Sequence, residues 1–139
     1  MKGRCKAGVD GSFNCVDVRD LAITSIDCVA KGRKGEGYIL GNELISMVRL
    51  FQLVSEASGT PLVETIIPLE AMIEGAVQSV PESEKEKVRG SMRFGMYNLV
   101  RNNNFDSSKA VRDLGYHTRP VSETIHDLVA WLKEIGKIQ

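Results

Sequence analysis

The sequence contains no apolar run near the roughly 18 to 20 residues that cross a bilayer, and its first ten residues carry charges instead of an apolar signal core. It also has no excess of charge, because 18 basic and 18 acidic side chains cancel. A protein without net charge has no long-range attraction for phosphate backbones or anionic lipid. We therefore expect a cytoplasmic protein that binds neither nucleic acid nor a membrane.

Patterns typical of metal and redox sites are missing too. The chain has three cysteines, an odd number, with neither a C-x-x-C pair nor a histidine cluster nearby. We expect reduced thiols, with Cys15 and Cys28 buried, and no metal site.

The sequence also lacks the motifs of a self-sufficient catalyst. A dinucleotide site needs a strand, a glycine-rich turn and a helix whose free N–H groups bind the pyrophosphate, and no G-x-x-G-x-x-G occurs. His117 and His126 are not accompanied by a serine in a nucleophile elbow or by a cysteine in a catalytic setting. The residues predict no catalytic group and no cofactor bound by this chain.

What is present is the composition of a folded domain, with 42% hydrophobic and 26% charged residues. In the first part, residues 13–16 predict a strand, and Asp17 predicts the cap of a helix that runs to about residue 30. The helix's apolar face is expected to contain Leu21, Ala22, Ser25, Ile26 and Val29.

A second strand is predicted at residues 38–40, which would make a parallel crossover with the first. Ser46 predicts the cap of a second helix that ends at Gly59, and residues 62–67 predict a third strand. Two helices with a break at Pro81 follow.

Two features of the last part of the chain stand out. Met92, Phe94, Met96 and Tyr97 could line a pocket, but apolar side chains at this spacing are more often part of a core. A short helix is predicted to end at Gly115, and Pro120 to open a final helix with an apolar stripe of Val121, Ile125, Leu128, Leu132 and Ile135.

Several segments carry a family resemblance in order along the chain. Residues 13–22 read FNCVDVRDLA and residues 105–116 read FDSSKAVRDLGY, with further matches at 35–41, 46–59 and 120–134. Together they resemble the carboxyl-terminal portion of an extended short-chain dehydrogenase/reductase, of the group with dihydroflavonol reductases and NAD-dependent epimerases/dehydratases.

The resemblance implies a partial α/β fold with few short strands and flanking helices. It implies one domain over residues 1–139, made of the end of a nucleotide-domain sheet at about 1–60 and a substrate-binding subdomain at about 61–139. The family's proton donor is a tyrosine four residues before a lysine, and no tyrosine here has a lysine at that distance. The resemblance therefore implies NAD(P) for the parent enzyme and no activity for this chain alone, either as an expressed fragment or as a product truncated at Met1.

The resemblance also indicates a kind of substrate. Sugar-nucleotide epimerases carry a phosphate-binding arginine before a pattern like CVDV, where this chain has Phe13 and Asn14. A less charged small-molecule carbonyl or alcohol is therefore implied, with Phe13, Asn14 and Arg93 as the candidate substrate-binding residues.

An alternative from another class remains open. The chain could be a non-catalytic binding or assembly module that forms a homo-oligomer, since strands and helices that have lost their neighbours expose edges and apolar faces.

Overall fold

The computed structural model describes residues 6–101 and 103–138, and it confirms a mixed α/β chain with few short strands and many helices. Within the described residues the elements are β1 (Gly8–Val9), β2 (Ser12–Cys15), α1 (Val18–Lys31), β3 (Glu43–Ser46), α2 (Met47–Ser58), β4 (Ile66–Ile67), α3 (Leu69–Gln78), α4 (Lys85–Val100), α5 (Ser108–Leu114) and α6 (Val121–Glu134).

The chain forms two compact units. The first comprises Met1–Phe13 and Ser46–Asn103, and the second comprises Asn14–Ile45 and Asn104–Gln139. Each unit is thus built from two separate stretches of sequence. The division near residue 60 that the resemblance implies stays a prediction.

In the first unit, β1 and β4 pair in parallel, with Gly8 opposite Ile66. Helix α2 packs on β1, and α3 packs on α4. The buried apolar side chains of this unit are Val9, Leu53, Ile73 and Val77.

The second unit contains α1, α5 and α6, and β2 pairs with β3. Its buried apolar side chains are Ile45, Ala110, Leu114, Tyr116, Val121, Ile125 and Val129. Buried polar side chains accompany them at Asp17, Asp20 and Thr24.

The predicted helix ends are confirmed where local chemistry decides them. The Ser46 hydroxyl accepts a hydrogen bond from the Arg49 N–H at 3.1 Å, which caps α2. Gly59 and Gly115 end α2 and α5 in the left-handed conformation, with φ of 73° and 74°.

The predicted strands need correction. Residues 38–40 are not a strand, whereas Glu43–Ser46, which the sequence did not single out, is β3. Tyr38 and Leu40 pack against the cluster of Ala110, Leu114 and Tyr116, and a strand also needs a hydrogen-bonded neighbour, which this segment does not have among the described residues. Of the predicted strand at 62–67, only Ile66–Ile67 is one.

The predicted inner face of α1 is wrong. The helix buries Asp20 and Thr24, while Ile26 and Val29 are 74% and 89% exposed. The apolar residues do recur with the period of a helix, but the side of α1 that is buried carries the ion-paired carboxylate of Asp20 instead of the apolar stripe. In α6 the buried positions are Val121, Ile125 and Val129, spaced four apart.

Three other expectations are wrong. Leu128 and Ile135 of the expected α6 stripe are exposed. Phe94 and Tyr97, expected to be core, are also exposed. Cys15 and Cys28, expected to be buried, are half-buried free thiols.

No helix among the described residues is long and apolar enough to span a membrane.

Candidate functional site

The most concentrated chemistry of the second unit lies at the N-terminus of α1. Asp17 precedes the helix in an extended conformation, and its carboxylate accepts a hydrogen bond from the Arg19 N–H at 2.8 Å. The side chain is buried. A capping carboxylate satisfies a free N–H of the first turn and lies at the positive end of the helix dipole.

Two side chains donate hydrogen bonds to Asp17. Arg19 donates to both of its carboxylate oxygens, at 2.9 and 2.7 Å, and Thr124 of α6 donates to Oδ2 at 2.8 Å. Arg19 also donates to Asp127 of α6 at 2.7 Å. The Arg19 side chain, followed by its backbone N–H and Thr124, holds the pKa of Asp17 well below its usual range, although burial opposes the shift.

The second buried carboxylate, Asp20, binds the residue that precedes Pro120. Arg119 donates its backbone N–H to Oδ2 at 2.9 Å, and its Nε and Nη2 to Oδ1 at 3.0 and 2.8 Å. The guanidinium of Arg119 lowers the pKa of Asp20 below its ordinary value. We call Asp17, Arg19, Asp20 and Arg119 the α1 charge cluster.

The α1 charge cluster is built to hold structure and not to transfer protons. Both carboxylates are ionised at neutral pH and are satisfied by donors, so neither retains a proton that it could give to a substrate. The cluster fixes the first turn of α1 to the start of α6.

A dinucleotide does not fit this helix N-terminus. Pyrophosphate binding requires free N–H groups and a positive potential, but the carboxylates of Asp17 and Asp20 already lie there. The nearest glycines, from Gly32 to Gly41, do not lead from a strand into a helix.

Asn14 is held by a neighbouring loop of the same unit. Its amide donates to the Asn42 carbonyl at 3.2 Å, and its side-chain oxygen accepts from the Asn42 N–H at 2.9 Å. Asn42 in turn bonds Thr118 and the Arg119 carbonyl through its own side chain. Asn14 therefore positions residues 41–42, and this pairing occupies both ends of its amide.

Phe13 and Arg93 belong to the first unit. Phe13 is half-buried on β2, and because side chains alternate along a strand it points to the face opposite Asn14. Arg93 lies on α4 and donates to Glu70 of α3 at 2.7 Å, with about half of its side chain exposed. Phe13 and Asn14 are thus neighbours in sequence, but their side chains point to opposite faces of β2. Arg93 is paired with a carboxylate.

Sequence reasoning missed the partners of the α1 charge cluster. Asp17 and Asp20 are recognisable from their place at the start of a helix, but nothing local marks Arg119 or Thr124 as their partners. The hint that was available is a basic residue directly before Pro120, at the start of the next helix.

Nucleophile and metal chemistry finds little support among the described residues. Burial raises the pKa of the Cys15 thiol, with Glu43 and Asp17 adding to the shift, so the thiol is protonated at neutral pH. Within residues 6–101 and 103–138, no group of three or more histidine, cysteine or acidic side chains could hold a metal ion.

Comparison with characterised sequences gives two relatives that match almost the whole chain. The chain is 30% identical to sterol demethylase protein B of Methylococcus capsulatus, over 98% of its own length and 42% of that protein. It is 26% identical to Putative dihydroflavonol 4-reductase of Synechocystis sp., over 100% of its length and 42% of that protein. The chain spans less than half the length of these relatives, and no protein-family model matches it.

Solved structures match in the same way. The crystal structure of gox2253 superposes with a TM-score of 0.77 at 28% identity, covering 99% of this chain and 42% of that one. A nucleoside-diphosphate-sugar epimerase from Pseudomonas aeruginosa gives a TM-score of 0.70 at 20% identity, over 99% of this chain and 40% of that one. The Citrobacter sp. triphenylmethane reductase complexed with NADP(H) gives 0.53 at 22%, over 88% and 44%. These last two likenesses show the fold alone.

Three findings agree with one another: the order of the resembling segments, the α/β fold, and the matches to known proteins. Each match covers nearly all of this chain and less than half of the other protein. Over nearly its whole length the chain is similar to a portion of proteins named as sterol demethylase, dihydroflavonol reductase and nucleoside-diphosphate-sugar epimerase, which is consistent with a carboxyl-terminal portion of an extended short-chain dehydrogenase/reductase.

Proposed function

We propose that this chain is the substrate-binding portion of an NAD(P)-dependent reductase, epimerase or dehydratase, and that the cofactor site and the reacting tyrosine and lysine belong to the remainder of such an enzyme. The observation that carries the proposal is the near-complete match of this chain to only 42% of each relative. The crowding of the α1 N-terminus by two carboxylates supports it.

The substrate proposed is a small carbonyl or alcohol compound and not a sugar diphosphate. Phe13 offers an apolar surface where a charged diphosphate would need a cation. Asn14 acts as a positioning residue through Asn42. Arg93 is the candidate polar contact, and a substrate group must compete with Glu70 for its guanidinium.

A fluorescence titration with NADPH tests the cofactor part. We expect no saturable change in NADPH emission when the purified chain is added, whereas the Citrobacter sp. triphenylmethane reductase, whose crystal structure is a complex with NADP(H), serves as the positive control. Tight binding by this chain, or turnover of a ketone with NADPH and no added partner, would refute the proposal.

A chimera tests the substrate part. This chain would replace the matching portion of the Synechocystis relative, and the chimera's KM and kcat would be measured with uncharged ketones and with sugar diphosphates. We expect Arg93→Gln to raise KM for the accepted substrate by several-fold, on the scale of one lost charged hydrogen bond. Arg89→Gln is the matched control, because Arg89 is also on α4 and also pairs with a carboxylate of α3, Glu74. Equal effects of the two changes would remove Arg93 from the site.

A second candidate function is self-association through α1. Its solvent-facing side carries Val18, Ala22, Ile26 and Val29 at steps of three and four, and we call this the α1 outer surface. Contiguous exposed apolar residues of this kind mark interaction surfaces.

Light scattering tests this second candidate. Ile26→Glu should convert an associated chain into a monomer. Val111→Glu, the same kind of change at an exposed position on α5, should not. A wild-type chain that stays monomeric at high concentration would count against the α1 outer surface.

A further inference from the structure

The turn that leads into β2 meets the end of α4 within the first unit. Residues 10–12 of this turn directly precede Phe13, and the helix that ends against the turn is the one that carries Arg93. The two candidate substrate residues of this unit therefore lie on two segments that contact each other at one place.

Asn103 connects the two segments through its side-chain amide. The residue is buried, with 6% of its surface exposed. Its Nδ2 donates one N–H to the Ser12 carbonyl oxygen at 3.2 Å and the other to the carbonyl oxygen of Asn98, in the last turn of α4. The carbonyls of a last helical turn have no partner within the helix, so they need a donor from outside. An amide NH2 group can supply both bonds at once, and a side chain without it would leave both carbonyls without this donor.

Gly11 allows the same turn to approach α4 closely. A Cβ atom added at Gly11 would lie 2.5 Å from the carbonyl oxygen of Leu99 and 2.9 Å from its Cβ. Any other residue at position 11 would therefore push the turn and the end of α4 apart. The Gly11 carbonyl also accepts the N–H of Met47, the first residue of α2, at 3.0 Å. We call the following residues the α4 junction: Gly11, Ser12, Asn98, Leu99 and Asn103.

Both candidate substrate residues are close to the α4 junction along their own segments. Phe13 follows Gly11 by two residues, which is about 7 Å of extended chain. Arg93 precedes Leu99 by six residues, which is about 9 Å of helix. The contacts of the α4 junction therefore set where the Phe13 ring lies relative to the Arg93 guanidinium.

We propose that Asn103 is a positioning residue for the substrate site and that it acts by setting the position of Phe13 relative to Arg93. This rests on the proposed function, in which these two residues contact the substrate. Asn103 itself is buried, and its amide nitrogen is occupied by two carbonyls. A small carbonyl or alcohol compound makes few contacts, so a shift of one contact relative to the other weakens binding.

Fluorine NMR of the whole chain tests the positional part. The chain has four phenylalanines, and after their replacement by para-fluorophenylalanine the line that Phe13→Leu removes belongs to position 13. Asn103→Leu removes the amide from a side chain of similar size, and Gly11→Ala forces the turn and α4 apart. Each change should shift the Phe13 line.

Gly75→Ala is the matched control for the NMR experiment. Position 75 is exposed on α3, and an added Cβ there meets nothing within 4 Å, so the Phe13 line should stay in place. A Phe13 line that neither Asn103→Leu nor Gly11→Ala shifts would overturn the positioning role and leave the proposed function intact.

Kinetics of the chimera with the Synechocystis relative test the functional part. Asn103→Leu and Gly11→Ala should each raise KM about threefold or more and change kcat by less than about twofold, because misplaced contacts weaken the binding of substrate and transition state alike. A purely structural defect would instead reduce the amount of folded enzyme, which lowers kcat and leaves KM unchanged. That result would overturn the positioning role. Asn103→Gln keeps the amide donor and should recover part of the loss in KM, and a KM equal to that of Asn103→Leu would contradict a role for the amide.

The double variant separates a failure of this inference from a failure of the proposed function. If Asn103 acts through Phe13, then Phe13→Ala combined with Asn103→Leu should have nearly the KM of Phe13→Ala alone, whereas effects that multiply would show independent action and overturn the inference. If Phe13→Ala and Arg93→Gln both leave KM unchanged, the proposed substrate site is wrong and the positioning role falls with it. If those two changes raise KM and Asn103→Leu does not, the positioning role alone is wrong.

Discussion

Asp20 and Arg119 stand 99 positions apart in the sequence and are joined by three hydrogen bonds of 2.8 to 3.0 Å, one from the backbone and two from the guanidinium. Asp20 is buried on α1, and Arg119 directly precedes α6. This pair joins the first turn of α1 to the residue that precedes α6. The stability of the second unit should therefore depend on it.

Removing the charge of Asp20 should destabilise the chain. Asp20→Asn leaves the guanidinium of Arg119 with a weaker acceptor in a buried position, and we expect the free energy of unfolding to fall by about 2 to 3 kcal/mol. Urea unfolding followed by circular dichroism measures the change. The control is Asp27→Asn, which breaks the more exposed pair with Lys31 on the same helix and should cost less than about 0.5 kcal/mol. Equal losses would mean that the Asp20 contact contributes nothing special.

Acid should weaken the fold for the same reason. The pKa values of Asp17 and Asp20 are lowered in the folded chain, by Arg19 and Arg119 respectively, so the unfolded state binds protons at higher pH than the folded state does. The stabilisation is complete above the unfolded pKa of about 3.9 and is lost as the pH falls through the lower folded values. We expect the urea midpoint to fall steeply below about pH 4, and less steeply in Asp20→Asn. A variant with the wild-type pH dependence would show that other carboxylates control it.

The sequence predicts well those features that local chemistry decides. Ser46 and Gly59 bound α2 because a hydroxyl and a left-handed glycine act on their own helix ends. Residues 38–40 show the opposite case. Their composition favours a strand, but a strand exists only when another backbone pairs with it, and among the described residues none does.

The candidate site shows the same limit. Periodicity identified an apolar stripe on α1, but it could not reveal that the burial of Asp20 with Arg119 turns that stripe outward. Phe94 looked like a core residue by type and spacing, and only the packing of α4 on α3 shows that it faces solvent. Long-range contacts decide which side of a helix is buried, and a single sequence does not encode them in a readable pattern.

Tyr116→Phe should leave stability unchanged or raise it by up to about 1 kcal/mol. The Tyr116 hydroxyl is buried and has no hydrogen-bond partner among the described residues, so its removal sacrifices no bond. Burial, with the charge of Asp20 adding to it, raises the pKa of this phenol and keeps it neutral. Thermal unfolding at neutral pH measures the effect, with Tyr97→Phe as the exposed control. A loss above about 1 kcal/mol would reveal a partner for the hydroxyl, such as a buried water.

Two glycine-to-alanine changes should shift stability in opposite directions. Gly115 ends α5 with a φ of 74°, where a Cβ is strained, so Gly115→Ala should cost about 1 kcal/mol or more. Gly75 lies inside α3, where an added Cβ meets nothing within 4 Å, so Gly75→Ala should gain about 0.5 to 1 kcal/mol. Both changes restrict the unfolded chain equally, and their difference therefore reports the folded backbone alone. The free energy of unfolding of each variant is measured with urea. If both variants changed it in the same direction, the left-handed end of α5 would not persist in solution.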